Sequence, residues 1–197
     1  TSWTKPHKKY ERACTSFVKK ILEDSPRNEF LKVMKNFCRK TAHYGVLNSL
    51  SQTLIRLTSP GIPDFYQGSE LFDLRLVDPD NRTPVDYKLR QELLKNLELN
   101  TLFADLHDGR LKLFCIRTIL NIRRQNPELF NFGSYVPLSA EGTKAENIAA
   151  FARMNDESIA VVVAPRFFTS LAKEPEMPTG EKVWQDTVII NQTAKIA

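Results

Sequence analysis

The sequence predicts a helical region interrupted by one long loop and followed by a small β domain. Three observations carry this. Apolar residues recur at helical spacing through most of residues 10–130. That spacing breaks over 64–86, where turn residues and carboxylates accumulate. After Gly133 the apolar pattern shortens to brief runs between turn signals, which is strand-like.

The elements follow in order. Tyr10, Ala13, Phe17 and Ile21 fall on one stripe, with Cys14, Val18 and Leu22 beside it, so a helix is expected over 10–24. Ser25-Pro26 ends it. A second helix begins near Asn28, a residue suited to capping free backbone amides, and runs through Phe30, Leu31, Met34, Phe37 and Cys38. Its pattern blurs at His43-Tyr44-Gly45, where glycine weakens a helix, then resumes from Leu47 to Leu57 and stops at Ser59-Pro60-Gly61. Residues 62–66 suit a brief strand, although Pro63 is awkward inside one. Turn chemistry follows at Gly68-Ser69, Pro79-Asp80-Asn81 and Pro84. Helix returns over 86–98 on Leu89, Leu93, Leu94 and Leu97. It returns again over 109–126, capped by Asp108, with a further turn from Pro127 to Phe130. Strands are expected at 135–138, 148–153, 159–164 and 188–190, with 172–182 as a mobile loop.

Composition bounds the function. With 197 residues, 42% hydrophobic and 26% charged, the chain can bury a core and is not disordered throughout. No apolar run approaches the roughly 20 residues of a membrane-spanning helix. The opening TSWTKPHKKY has no apolar stretch of the kind a secretory signal carries. The net charge of +5 is unevenly spread: residues 1–45 hold eleven Lys and Arg against four acids. These cations lie mostly off the apolar stripes, and no aromatic-interleaved basic motif accompanies them. A solvated helix face is therefore expected rather than a nucleic-acid surface. Three cysteines without a C-x-x-C, and three histidines, argue against a disulfide framework or a zinc site. Cys14, Cys38 and Cys115 are expected to be small apolar fillers in a reducing compartment. His43 reads as a hydrogen-bonded helix residue, and Trp3 and Trp184 as packing residues. Phosphate-cradling, dinucleotide, zinc-protease and serine-nucleophile motifs are absent, and no cofactor or metal is expected.

The loop is where chemistry concentrates. Asp64, Glu70, Asp73, Asp78, Asp80 and Asp86 stand there against Arg75 and Arg82. Carboxylates accept hydrogen bonds from hydroxyls and aromatic rings stack on sugar faces, so the composition suits a hydroxyl-rich ligand. Glycosyl transfer needs two carboxylates flanking a glycosidic oxygen, and the loop has enough by count. Asp78 and Asp80 serve equally well as turn formers, and Asp86 as a helix cap.

On LNSLSQTLIRLTSPGIPDFYQGSELFDLRLVDPDNRTPVDY the chain resembles the maltooligosyl trehalose synthases of the α-amylase family. The resemblance extends to TSWTKPHKKYE, DGRLKLFCIRTILNIRRQNPELFNFGSYVPL, AENIAAFAR, SIAVVVAPR and VWQDT. It implies an α/β plus β fold: the C-terminal portion of a (β/α)8 TIM barrel, mostly helical here, and then a small antiparallel β-sandwich domain. Residues 1–132 would be the barrel part, with 62–66 as its eighth strand, 69–107 as the eighth βα loop and 109–130 as the last barrel helix. Residues 133–197 would be the β domain.

The resemblance implies that no catalytic residue lies in this chain, because the motifs for the family's catalytic Asp and Glu residues have no match here. It implies that Asp78 and Arg82 bind glucosyl units, or else pair with each other to fix the loop. Tyr66, Gln67 and Glu70 would shape the floor, and Phe72 stands where the family usually has Trp. The implied activity is an isomerase reaction in the cytoplasm. The reducing-end α-1,4 linkage of a maltooligosaccharide or glucan would become α,α-1,1, as a step of trehalose biosynthesis. The implied partner is the missing N-terminal part of the same enzyme. Nucleic acid and membrane are not expected as partners. The isolated chain would be inactive and prone to self-association. A glucan hydrolase of the same family and a non-catalytic glucan-binding or structural module are the other readings.

Overall fold

The computed structural model describes residues 1–95 and 97–190, with the side chain of residue 100 left aside. The chain divides into two compact units, Thr1–Ala42 and His43–Ala197.

The first unit is helical. Helix α1 (Lys8–Ile21) is capped by His7, whose Nδ1 accepts the Tyr10 N–H at 3.1 Å. Glu11 in its first turn and Lys19 and Lys20 in its last complement the helix dipole. Asn28 then joins two elements. Its amide donates to the carbonyls of Ile21 and Glu23, both at 2.9 Å, and its Oδ1 accepts the Leu31 N–H at 3.0 Å, as an N-cap should. No residue of this unit is buried. Cys14 and Cys38 are exposed rather than filling gaps, and Cys115 of the second unit is half-buried. Trp3 is fully exposed and packs on nothing. These expectations fail for one reason: helical spacing identifies a face, not what covers it.

Helix α2 (Glu29–Thr58) runs unbroken through Gly45, where a weakening was expected. One glycine costs about 1 kcal/mol relative to alanine, which thirty continuous helical residues absorb. His43 is buried against the edge of Tyr44, ring centroids 5.2 Å apart, and its Nε2 has no hydrogen-bond partner among the described residues. The expected hydrogen bond is not made there.

The second unit has its core where four helices meet. Leu97, Leu102, Leu111 and Leu113 are buried, with Leu50, Leu71, Leu93 and Leu94 packed on them. They come from α2, α3 (Tyr87–Lys95), α4 (Leu99–Leu102), α5 (Arg110–Gln125) and adjoining turns. Asp86 does cap α3, accepting the Leu89 N–H at 2.9 Å. Helix α6 (Pro127–Asn131) begins at a proline, which suits a first-turn position that needs no amide donor.

The strands are β1 (Ser134–Glu141), β2 (Ile148–Met154), β3 (Ile159–Pro165) and β4 (Val188–Ile190). They form one antiparallel sheet in the order β3-β2-β1-β4. Tyr135 pairs with Arg153, Phe151 with Val162 and Ser139 with Ile190. Among the described residues this single sheet is the whole β structure. The strand expected at 62–66 does not form. A strand needs a neighbour to complete its ladder, and here the Asp64 carbonyl instead takes the Arg56 guanidinium at 3.2 Å. A second cluster buries Leu47, Phe168 and Leu171, with Met177 and Trp184 packed against it. Tyr44 donates to the Ala172 carbonyl at 3.2 Å, and Trp184 to the Pro178 carbonyl at 2.9 Å. The segment 172–182, expected to be mobile, is thus tied to the core and leads into α7 (Glu181–Trp184). Among the described residues no helix is long and apolar enough to cross a membrane.

Candidate functional site

The loop between α2 and α3 is organised in three levels: a foot, a base and a tip. At the foot, two buried arginines close the end of α2. Arg123 of α5 donates to the carbonyls of Leu57 and Gly61, both at 2.9 Å. Arg153 of β2 donates to Thr58 at 3.3 Å, Gly133 at 2.7 Å and Ser134 at 3.4 Å. The last carbonyls of a helix lack intrahelical partners and carry the negative end of its dipole, so a guanidinium is a suitable cap. Burial lowers both guanidinium pKa values, and the charge of Arg153 lowers that of Arg123 further.

The base is built on Glu70, Arg75 and Arg90. One oxygen of Glu70 accepts both the Gly68 N–H and Arg90 Nε at 3.0 Å. Arg90 returns to the Gly68 carbonyl at 2.8 Å. Arg75 grips Asp73 in a fork, at 2.8 and 2.6 Å. It also donates to the carbonyl and hydroxyl of Thr83, at 3.0 and 2.9 Å, and to the Gln67 carbonyl at 3.2 Å. One side chain therefore ties together three positions along the loop. Its hydrogen bonds hold the Asp73 carboxyl at about 2, so Asp73 stays ionised near neutral pH and acts as a fixed acceptor. Gly68 has φ +94°, and a Cβ there would lie 2.5 Å from Arg75 Nη2, so any other residue is strained there and displaces that guanidinium. Lys112 of α5, itself buried, donates to the Leu71 carbonyl at 3.1 Å and lies 5.6 Å from the Phe72 ring centroid. Burial lowers the Lys112 pKa, and Arg56 adds to the effect. Gly68, Phe72, Asp73, Asp86 and Arg90 help line a small cleft of about 160 Å³. A larger hollow of about 440 Å³ lies along α1, but it is one helix flank lined by Lys8, Glu11, Arg12 and Lys19. The loop is the better candidate because its polar groups converge.

The tip is open. Leu74, Leu76 and Val77 are strongly exposed, and Asp80 steadies the turn by accepting the Leu76 N–H at 2.7 Å. Asp78 and Arg82 form an ion pair at 2.7 Å, with side-chain exposures of 57% and 68%, so both keep donor or acceptor capacity toward solvent. Asp78 raises the Arg82 pKa, and Tyr66 lies close enough to contribute. Of the residues singled out from sequence, Asp78 and Arg82 meet at the tip, with Tyr66 exposed nearby. Gln67 lends its carbonyl to Arg75, and Glu70 turns into the base. Phe72 is half-buried under Lys112. Sequence reasoning missed Arg75, Arg90, Lys112, Arg123 and Arg153. Lys112 had a visible signal, since it stands between Leu111 and Leu113 in an apolar helix.

The fold and this loop define a mostly helical segment that presents a polar loop and runs on into a small antiparallel sheet. Comparison with known proteins finds curated and solved relatives that carry the name maltooligosyl trehalose synthase, and the chain is similar to a segment of them. A Mycobacterium tuberculosis (strain H37Rv) protein of that name is 35% identical over 161 residues, covering 82% of this chain and 19% of the relative. The solved maltooligosyltrehalose synthase of Arthrobacter ramosus superposes with a TM-score of 0.74 at 33% identity, over 96% of this chain and 23% of that one. A Sulfolobus tokodaii structure, titled a hypothetical maltooligosyl trehalose synthase, gives a TM-score of 0.64 at 28% identity over 84% of this chain. No protein-family profile matches. The chain spans about a fifth of the length of the curated relatives it matches.

Proposed function

We propose that this chain is the C-terminal part of a maltooligosyl trehalose synthase and forms one wall of its substrate cleft. Residues 1–132 would complete a (β/α)8 barrel whose other strands lie in the remainder of the enzyme, and 62–66 would become its eighth strand on pairing with them. Residues 133–197 would be the β domain beside it, with the observed sheet as one layer. The observation that carries this reading is the exposed Asp78–Arg82 pair on a base held rigid by Arg75 and Arg90. A carboxylate and a guanidinium side by side offer acceptors and donors to the hydroxyls of one glucosyl unit, and a rigid base lets that contact select an orientation.

The reaction would be an intramolecular transglycosylation. The reducing-end glucose is released from its α-1,4 linkage, retained, and rejoined through α,α-1,1. Retention of configuration implies a covalent glycosyl-enzyme. The carboxylates that make and break the bond are assigned to the remainder of the enzyme. This chain's part is to hold the sugar and keep water away from the intermediate, since water would divert it to hydrolysis. The enzyme would work in the cytoplasm on maltooligosaccharides.

The test is the whole enzyme carrying Asp78→Ala or Arg82→Ala, incubated with maltopentaose. A rise in KM or a shift from non-reducing product toward free glucose is expected. Unchanged KM and product ratio would remove the pair from the substrate site. A parent enzyme that only releases reducing ends would instead be a hydrolase.

A further inference from the structure

The first unit leaves an apolar face bare. On α1 and its C-cap, Phe17, Val18 and Leu22 stand exposed at helical spacing. On the first part of α2, Phe30, Val33 and Phe37 do the same. Their exposures run from 47% to 65%, although each lies on the apolar side of its helix. A helix normally hides such a stripe against a partner, and isolated patches of this extent on a solvent-facing surface mark an interaction site. Around the stripes, residues 1–42 carry eleven Lys and Arg against four acids.

Two facts identify the occupant. The relatives contain several times more chain than this one, while the Arthrobacter ramosus structure matches 96% of this chain, so the same helices exist there among much more protein. The basic flanks also call for carboxylates opposite. We propose that the apolar stripes of α1 and the first part of α2 dock on the remainder of the synthase, on an apolar strip bordered by Asp and Glu side chains. This rests on the reading that the chain is part of such an enzyme and adds which face joins it. The aliphatic and aromatic stripes would supply the binding energy, and the lysines would set register and repel wrong partners.

Cys14 is an exposed reporter on the α1 stripe. The experiment replaces the matching segment of the Arthrobacter ramosus synthase with this chain, in a Cys38→Ser, Cys115→Ser background cleared of the host's own cysteines. The rate of maleimide labelling is compared with that of the same 197-residue chain alone at high dilution. Labelling about tenfold slower in the hybrid is the expected result, because thiol reactivity follows access. Equal rates would overturn the proposal. Protection that appears in the isolated chain on concentration, with a dimer in sedimentation and no further protection in the hybrid, would overturn it in favour of a second copy.

A second measurement covers a hybrid that does not fold. Phe17→Lys with Phe37→Lys is expected to leave the helicity of the isolated chain unchanged and to lower the yield or Tm of the hybrid. Equal effects in both proteins, or none in either, would also overturn the proposal. An inactive hybrid with protected Cys14 would count against the functional reading alone. An active one with freely labelled Cys14 would count against the docking face alone.

Discussion

Arg153 and Arg82 serve the same loop from opposite surroundings. Arg153 is 1% exposed, faces only backbone carbonyls and fixes where the chain leaves α2. Arg82 is largely in solvent and shares one carboxylate at the tip. The difference shows how one side-chain chemistry divides its work by burial. A buried guanidinium is costly to lose because its partners are left unpaired. An exposed one adds little to stability and stays free to meet a ligand.

The largest expected effect breaks the foot. Arg153→Ala orphans the carbonyls of Thr58 and Gly133 and opens a cavity, and should destabilise the chain by about 3 kcal/mol in urea titrations. Arg153→Lys should recover only part, since an ammonium cannot span both directions. A wild-type midpoint for the alanine variant would show the foot to be no stronger than the tip.

Next comes Gly68→Ala, which forces a Cβ into a left-handed backbone and against Arg75 Nη2. A loss of about 1–3 kcal/mol is expected, with loosening around Gln67 and Thr83 visible by hydrogen exchange.

A smaller effect is set by pH. The folded Asp73 carboxyl sits at about 2, below the roughly 3.9 of a free aspartate. A depressed acid contributes stability that is fully present above its unfolded pKa and is lost as pH falls through the folded one. Stability should therefore carry an Asp73 contribution that is constant from neutral pH to about 4 and declines toward about 2. Asp73→Asn should flatten that part of the acid limb. An unchanged limb would assign it to other carboxylates.

The smallest effect on stability belongs to the tip. Asp78→Ala and Arg82→Ala should leave the Tm of the chain unchanged while altering KM or product ratio in the whole enzyme. A clear loss of Tm would mean that the pair holds the loop rather than the sugar.

The sequence showed the tip and hid the foot, for a physical reason. Asp78 and Arg82 were singled out by the family resemblance, the capping role of Asp86 follows from a short-range pattern, and the strands after Gly133 follow from alternation and turns. Arg75 looked like one charge among many, because its reach to Gln67 and Thr83 depends on how the loop folds back. Arg123 and Arg153 were invisible as caps, since their partners are carbonyls more than sixty residues away along the chain. The failure of 62–66 to form a strand is the same lesson reversed: a local pattern was right for a strand, but nothing local supplies the pairing.

One consequence concerns the order in which the molecule can be finished. The Arg153–Thr58 bond closes across 95 residues and the Tyr44–Ala172 bond across 128. Such closures come late, because the intervening chain must be ordered first. During synthesis α2 and the loop emerge well before β2, so the end of α2 lacks its Arg153 cap until the sheet has left the ribosome. A nascent chain halted near residue 140 should thus be caught with the loop between α2 and α3 open to proteases, and the released chain, with its sheet complete, should resist them.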